Sequence, residues 1–136
     1  MAKKLIVKTN GQGLYEITSE IQRLVAPLEI GDGLCTIFIT HTSASLLIQE
    51  NADPSARYDL ERWLRRLVPE NDPHFTHTFE GPDDMPGHIK ASLTATNLSV
   101  PIVDGELALG TWQGIYVWEH RDRPHDRTIL VQTLSN

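Results

Sequence analysis

The sequence predicts an α+β fold in one domain spanning residues 1–136, and three observations carry that prediction. Short β-branched or apolar runs, such as Leu34–Thr40 and Arg127–Leu134, read as strands. An amphipathic stretch after Asp53 carries the start signals and the period of a helix. The 136 residues, 40% hydrophobic and 22% charged, suit one soluble core. The count comes to about six strands and three helices.

Residues 3–9, "KKLIVKT", form the first strand, and the "GQG" that follows is a turn signal. "TSEIQRLVAPL" is a short helix. Thr18 or Ser19 can cap it, Ile21, Leu24, Val25 and Leu28 share a face, and Pro27 limits its length. "GDG" at 31–33 turns into the strand 34–40, whose odd positions (Cys35, Ile37, Ile39) and even positions (Leu34, Thr36, Phe38) are all apolar or β-branched. Cover on both faces is the expectation.

Asp53 is a suitable N-cap, Pro54 suits the first helical position, and "SARYDLERWLRRLV" continues the second helix. Ala56, Leu60, Trp63, Leu64 and Leu67 make its apolar stripe, and Glu61 and Arg65 are spaced for an i,i+4 ion pair. Pro69 to Asp84 has no periodicity and reads as a long loop, of the kind that is usually functional or disordered. The third helix, "MPGHIKASLTA", opens at Asp84 or Met85 with Pro86 in its first turn; Ile89 and Leu93 face the core and turn His88 and Lys90 away. "LSVPIV", Asp104-Gly105 and "ELALGTWQGIYVWEH" read as a hairpin, and "RTILVQTL" as the last strand.

The net charge of −6 and the lack of any Lys/Arg-rich run argue against nucleic acid or an anionic membrane as the main partner. No apolar stretch approaches the roughly 20 residues of a membrane span. The N-terminus lacks the apolar run of a signal peptide, and the lone Cys35 fits a reducing cytoplasm, so a cytoplasmic protein is expected.

Three groups of residues point to chemistry. His41 interrupts an apolar run where a strand ends, and with His77 and His88 it makes three imidazoles able to bind a divalent ion with a position left open. Cys35, six residues up the strand, lies roughly 20 Å from His41 and is a poor fourth ligand. "EGPDDMPGHIKAS" runs a carboxylate-rich loop into a helix N-terminus, a setting for a phosphate; Lys90 adds charge, and Glu80, Asp83 or Asp84 suit Mg²⁺ against a pyrophosphate. The bland alternative is that Asp84 only caps the helix. In "LGTWQGIYVWEHR", Thr111, Gln113 and Glu119 interrupt an apolar strand, which fits substrate contact or structural hydrogen bonding equally well.

Together, "HTSASL…EN.DP" (41–54), "H..EG.DDMP.HIK" (77–90) and "LGTWQGI…EHR" (109–121) resemble the YjbQ-like family, often labelled secondary thiamine-phosphate synthase, over nearly the whole chain. Gly87 departs from the pattern, where a small Ala or Ser is usual, and Ala56 departs mildly; neither carries a reacting group. The resemblance implies a mixed β-sandwich within the α+β domain, a homotrimer, and a weak thiamine-phosphate synthase activity. That reaction joins a pyrimidine-methyl pyrophosphate to a thiazole phosphate. His41, Glu80, Asp84 and His88 are then expected around the reacting groups, with Ser43, Asn51, Lys90, Thr111 and Gln113 contacting substrate. His41, His77 and His88 are expected to hold a divalent ion, Mg or Zn. The same residues would suit a metal-dependent hydrolase of a phosphorylated metabolite, or a small-molecule or metal-binding trimer whose turnover is incidental. For the trimer there is also a physical reason: Trp112, Tyr116 and Trp118 alternate on one strand face, more than so small a core readily hides.

Overall fold

The computed structural model describes residues 2–136. Eight strands and three helices follow in the order β1 (Lys3–Asn10), β2 (Gly13–Glu16), α1 (Thr18–Val25), β3 (Gly33–Ile39), β4 (Ala44–Glu50), α2 (Pro54–Leu67), α3 (Asp84–Leu93), β5 (Asn97–Val103), β6 (Glu106–Leu107), β7 (Gln113–Glu119) and β8 (Pro124–Ser135). They pair antiparallel into a five-stranded sheet, β1-β8-β3-β5-β6, and a three-stranded sheet, β2-β7-β4. The result is the α+β single domain that the sequence predicts, with the β-sandwich that the resemblance implies and eight strands where about six are expected.

The core lies between the sheets. Cys35, Ile37, Ile39, Val100, Ile102, Ile129 and Val131 of the larger sheet meet Ala44, Leu46, Ile115 and Val117 of the smaller, with Ile17, Ile21 and Val25 closing one side. A second cluster forms on the far face of the smaller sheet, where Leu64 and Val68 pack on Leu14, Tyr116 and Trp118. That packing overturns the physical reason given for a trimer. Tyr116 and Trp118 are buried beneath α2 of the same chain, and only Trp112 is exposed.

The larger sheet buries one face only. Phe38 is exposed beside buried Ile37 and Ile39, against the expectation of cover on both sides, and Ile6, Val103 and Leu134 are exposed on that outer face as well. The hairpin across Asp104-Gly105 forms, with both residues at positive φ (50° and 84°) as a type I′ turn requires. Its second strand ends at Leu107, however. The chain then crosses to the other sheet, and Gln113 Oε1 accepts from the Gly110 N–H (2.7 Å) to shape the turn before β7.

Local signals held where they were self-contained. Asp53 caps α2 by accepting from the Ser55 N–H (2.9 Å), with Pro54 in the first turn. Other pairings were diverted. No side chain caps α1: Thr18 Oγ1 donates to Glu16 and accepts from the Ile115 N–H (2.9 Å). Glu61 accepts from the Leu14 N–H (2.8 Å) in place of pairing with Arg65. On α3 Ile89 packs on the second cluster as expected, but Lys90 and Leu93 exchange roles, Lys90 being buried and Leu93 exposed.

Candidate functional site

The segment from 68 to 83 has no regular structure, but it is anchored where it enters α3. Arg121, just past β7, supplies the anchor. Its Nε donates to Asp83 Oδ2 (2.9 Å), Nη1 to Asp84 Oδ1 (2.7 Å) and Nη2 to the Glu80 carbonyl (2.8 Å). The Asp122 N–H also donates to Asp83 Oδ2 (2.8 Å), so Asp83 is spent on holding the loop. A rigid guanidinium fork suits three acceptors in nearly one plane.

With Oδ1 committed to Arg121, Asp84 presents Oδ2 to two imidazoles. His77 Nε2 lies 2.8 Å away and His88 Nε2 3.2 Å. His88 reaches it because i,i+4 residues share a helix face; His77 reaches it because the anchored loop folds back. One ligand atom from each of His77, Asp84 and His88 falls within 4.8 Å of the others, and the two rings are 5.3 Å apart. Burial by itself would raise the Asp84 carboxyl, but His88, His77 and Arg121 outweigh it and hold the group ionised below the usual carboxylate range.

The tautomer of His88 follows from its other contact. Nδ1 lies 3.0 Å from the Thr42 carbonyl, which can only accept, so Nδ1 carries the hydrogen. In a neutral ring Nε2 is then a bare lone pair aimed at a carboxylate oxygen. Two acceptors in that position are reconciled by a second ring proton or by a cation between them. A ligating histidine whose far N–H is held by a backbone carbonyl is a common arrangement around metals. A cleft of about 390 Å³, lined by Phe75, His77, Gly81 and Met85 among others, opens beside the cluster.

His41 does not belong to this group, which corrects the expected set of three imidazoles; Asp84 stands in its place. After β3 ends at Ile39, His41 faces β8, where the Thr128 N–H donates to its Nε2 (2.8 Å) and Arg127 Nη1 lies 3.3 Å from Nδ1. Burial and the Arg127 charge push its pKa down and keep the ring neutral. Its available lone pair is already used.

Ser43 is likewise occupied, with Oγ accepting from Arg127 Nη2 (3.0 Å). Arg127 also grips Glu119, its Nε donating at 2.7 Å and its Nη2 to the second oxygen. Thr9 adds a further donor (2.5 Å). Burial alone would raise Glu119, but these donors hold it below its usual range. Lys90 sits two residues past His88, on the opposite side of α3, and donates to Gln12 Oε1 (2.9 Å). Glu80 takes part through its carbonyl, which accepts from Arg121, and through its carboxyl, which helps hold Asp84 low. Gln113 opens β7 at the other end of the smaller sheet, Asn51 and Thr111 lie just beyond that end, and the β4 span puts Asn51 roughly 25 Å from Ser43. Asn51 there donates to Glu16 Oε2 (3.1 Å).

The structure thus gathers His77, Glu80, Asp84 and His88 and separates the other expected residues from them. Sequence reasoning missed Arg121, Asp83 as part of the anchor, and the Thr42 carbonyl. Arg121 had one visible signal, its place at the end of "EHR" directly after a strand.

Comparison with known proteins gives a consistent result. The family described as UPF0047 protein YjbQ-like matches residues 3–136. The UPF0047 protein sll1880 of Synechocystis is 50% identical, over 93% of this chain and 86% of that protein. YjbQ of Escherichia coli O157:H7 is 41% identical, over 95% and 94%. Among solved structures, an uncharacterised protein of the yjbq/upf0047 family from Clostridium acetobutylicum superposes with a TM-score of 0.86 at 34% identity, covering 98% of this chain and 99% of that one.

Proposed function

This chain belongs to the UPF0047 protein YjbQ-like family, and from that premise we propose that it is a divalent-metal-dependent enzyme acting on a phosphorylated small molecule. The carrying observation is the meeting of His88 Nε2 and Asp84 Oδ2 at 3.2 Å with His77 beside them. The donor set fits a metal: two imidazole nitrogens and one carboxylate suit Zn²⁺ or another transition ion, whereas Mg²⁺ favours oxygen ligands. When bound, such an ion would supply Lewis acidity to a phosphoryl oxygen and acidify a water at a free position.

The chain's own residues prepare that site. The Thr42 carbonyl sets the ring plane and tautomer of His88, and Arg121 fixes Asp84 so that Oδ2 faces the histidines. Gly81, at φ 102°, makes the turn that the anchored loop needs. Thiamine-phosphate synthesis, which the family resemblance implies, is the first reaction in this reading, as a weak activity. Hydrolysis of a phosphorylated metabolite is the second, favoured by three protein ligands that leave room for water. A small-molecule or metal-binding role with incidental turnover accounts for the same cluster.

The homotrimer is part of the proposal too. Its support is the resemblance and the outer face of the larger sheet, where Ile6, Phe38, Val103 and Leu134 stand exposed. Light scattering at micromolar concentration is expected to return the trimer mass, and a monomer mass would overturn it. No helix among the described residues is long and apolar enough to cross a membrane.

The site is tested by metal analysis beside assays of thiamine-phosphate synthesis and of phosphate-ester hydrolysis. Purified protein loaded with Zn²⁺ is expected to retain about one ion per chain. Asp84→Asn and His88→Ala should each lose the ion and the turnover, whereas His41→Ala should keep the ion. Retention of the ion by His88→Ala, or loss only in His41→Ala, would remove this cluster as the metal centre.

A further inference from the structure

Lys90 is the charged group that the metal centre leaves unexplained. Only 4% of it is exposed, deeper than any other lysine among the described residues. An ammonium has three donors and no acceptor. The side-chain acceptor Lys90 has is Gln12 Oε1, and no carboxylate lies within ion-pair reach of it among the described residues. Asp122 is held off by the same glutamine, whose Nε2 donates to Asp122 Oδ1 (2.8 Å) while its Oε1 receives Lys90. The amide is a spacer between an acid and a base that would otherwise pair.

A second cation stands next to it. Arg65 is exposed and forms no ion pair among the described residues, because Glu61, its natural i,i+4 partner, is committed to the Leu14 N–H. Lys90 and Arg65 line one cavity of about 410 Å³, together with Gln12, Asn71 and two acids, Glu70 and Asp122. That volume is in the range of small-ligand sites, roughly 300–1,000 Å³. A buried cation with no directly paired counter-charge is costly, and the nearby acids Glu70 and Asp122 offset that cost only from beyond ion-pair distance.

We propose that this cavity binds the oxyanion end of a small metabolite, a phosphate or a carboxylate, with Lys90 and Arg65 as its positive contacts. Lys90 supplies a point charge at the floor and Arg65 a planar fork at the rim, a combination suited to an oxygen-rich anion. Glu70 and Asp122 limit the charge such a ligand can carry and disfavour polyanions. The cavity shares Asn71 with the cleft beside His77, but no metal ligand lines it. It therefore stands or falls apart from the metal centre.

The test follows the Lys90 side chain itself. Protein labelled with ¹⁵N-lysine and stripped with EDTA is titrated with inorganic phosphate and with acetate, against chloride at matched ionic strength. The Lys90 Nζ signal is expected to shift saturably with at least one oxyanion, and the one that saturates identifies the ligand class. Arg65→Ala, a change at an exposed position, should weaken that binding by about tenfold or more without moving the melting temperature. Arg65→Lys should restore part of it. A Lys90 signal that follows only ionic strength would overturn the proposal, as would an Arg65→Ala protein that binds both anions as tightly as the parent. Because the metal is removed beforehand, neither result depends on the His77–Asp84–His88 cluster.

Discussion

The two ends of the three-stranded sheet are made by the same strands yet are built differently. At one end, where Ala44 pairs with Glu119, the chain closes over charge: Glu119 with Arg127, and Asp83 and Asp84 with Arg121, all partly or fully buried. At the other, where Glu50 pairs with Gln113, the polar groups stand in solvent, as in the contact from Asn51 to Glu16. Every strong constraint on a reacting geometry sits at the first end. The second end has similar residue types but leaves them open to water, and hydrogen bonds between exposed groups orient little. A buried network holds a site in shape because each member has nowhere else to turn.

The sharpest way to break this contrast is to remove one partner of a buried pair. Glu119→Gln or Arg127→Met leaves the other charge uncompensated among Thr9, Ser43 and His120. A loss of about 3–5 kcal/mol in urea unfolding is expected from either. Glu16→Gln at the opposite end, whose ion pair with Arg57 spans 3.9 Å at part-exposed positions, should cost no more than about 1 kcal/mol. Similar losses at both ends would dissolve the distinction.

Acid offers a graded version of the same test. His120 is buried as a neutral ring, 2.9 Å from Ser45 Oγ. Burial first, and then the charges of Lys90 and Arg127, push it from 6.5 down to about 3 against the opposing pull of Glu119. Its folded pKa lies below the unfolded one, so the unfolded chain takes up a proton first. The stability contribution is complete above about pH 6.5 and is lost as pH falls toward 3, at no more than about 1.4 kcal/mol per pH unit for one proton. Glu119 is also depressed, and its contribution fades at lower pH, below its ordinary 4.5. His120→Gln should therefore lessen the fall in melting temperature between pH 6.5 and 4.5, where the depressed His41 still contributes, while leaving the drop below 4.5 in place. An unchanged profile would show that the ring is not a buried neutral group.

Much of the fold was legible because its signals are local. Asp53-Pro54 and Asp104-Gly105 act on their own neighbours, and α2 and the β5–β6 hairpin formed where those residues place them. The failures share one cause, a competing partner far along the chain. Thr18 serves Ile115, Glu61 serves Leu14, and His41 serves Thr128, and no spacing rule announces any of these. Half of the candidate site could be read for the same reason. Asp84 and His88 are four apart on one helix, so they had to meet. His77 joins them only because Arg121, 37 residues beyond Asp84, ties down the loop between.

The smallest expected effect lies at the back of α3, at Gly87. Gly87 is a buried helical residue, and a Cβ there would meet the His120 carbonyl at 3.5 Å and Arg121 Cδ at 3.6 Å, ordinary contacts with nothing to displace. Glycine inside a helix costs roughly 0.5–1 kcal/mol relative to alanine through backbone entropy. Gly87→Ala should thus stabilise the protein by about that amount, a rise of roughly 2–4 °C in melting temperature. Metal retention should be unchanged, because the new methyl touches the stem of Arg121 and not the nitrogens that hold Asp83 and Asp84. Gly87→Leu would have to push on the His120 carbonyl and on Arg121 together, and should lose both stability and metal. If the alanine variant already loses metal, the Arg121 anchor tolerates less than a methyl group, and the buried end of the sheet is packed more tightly than these distances allow.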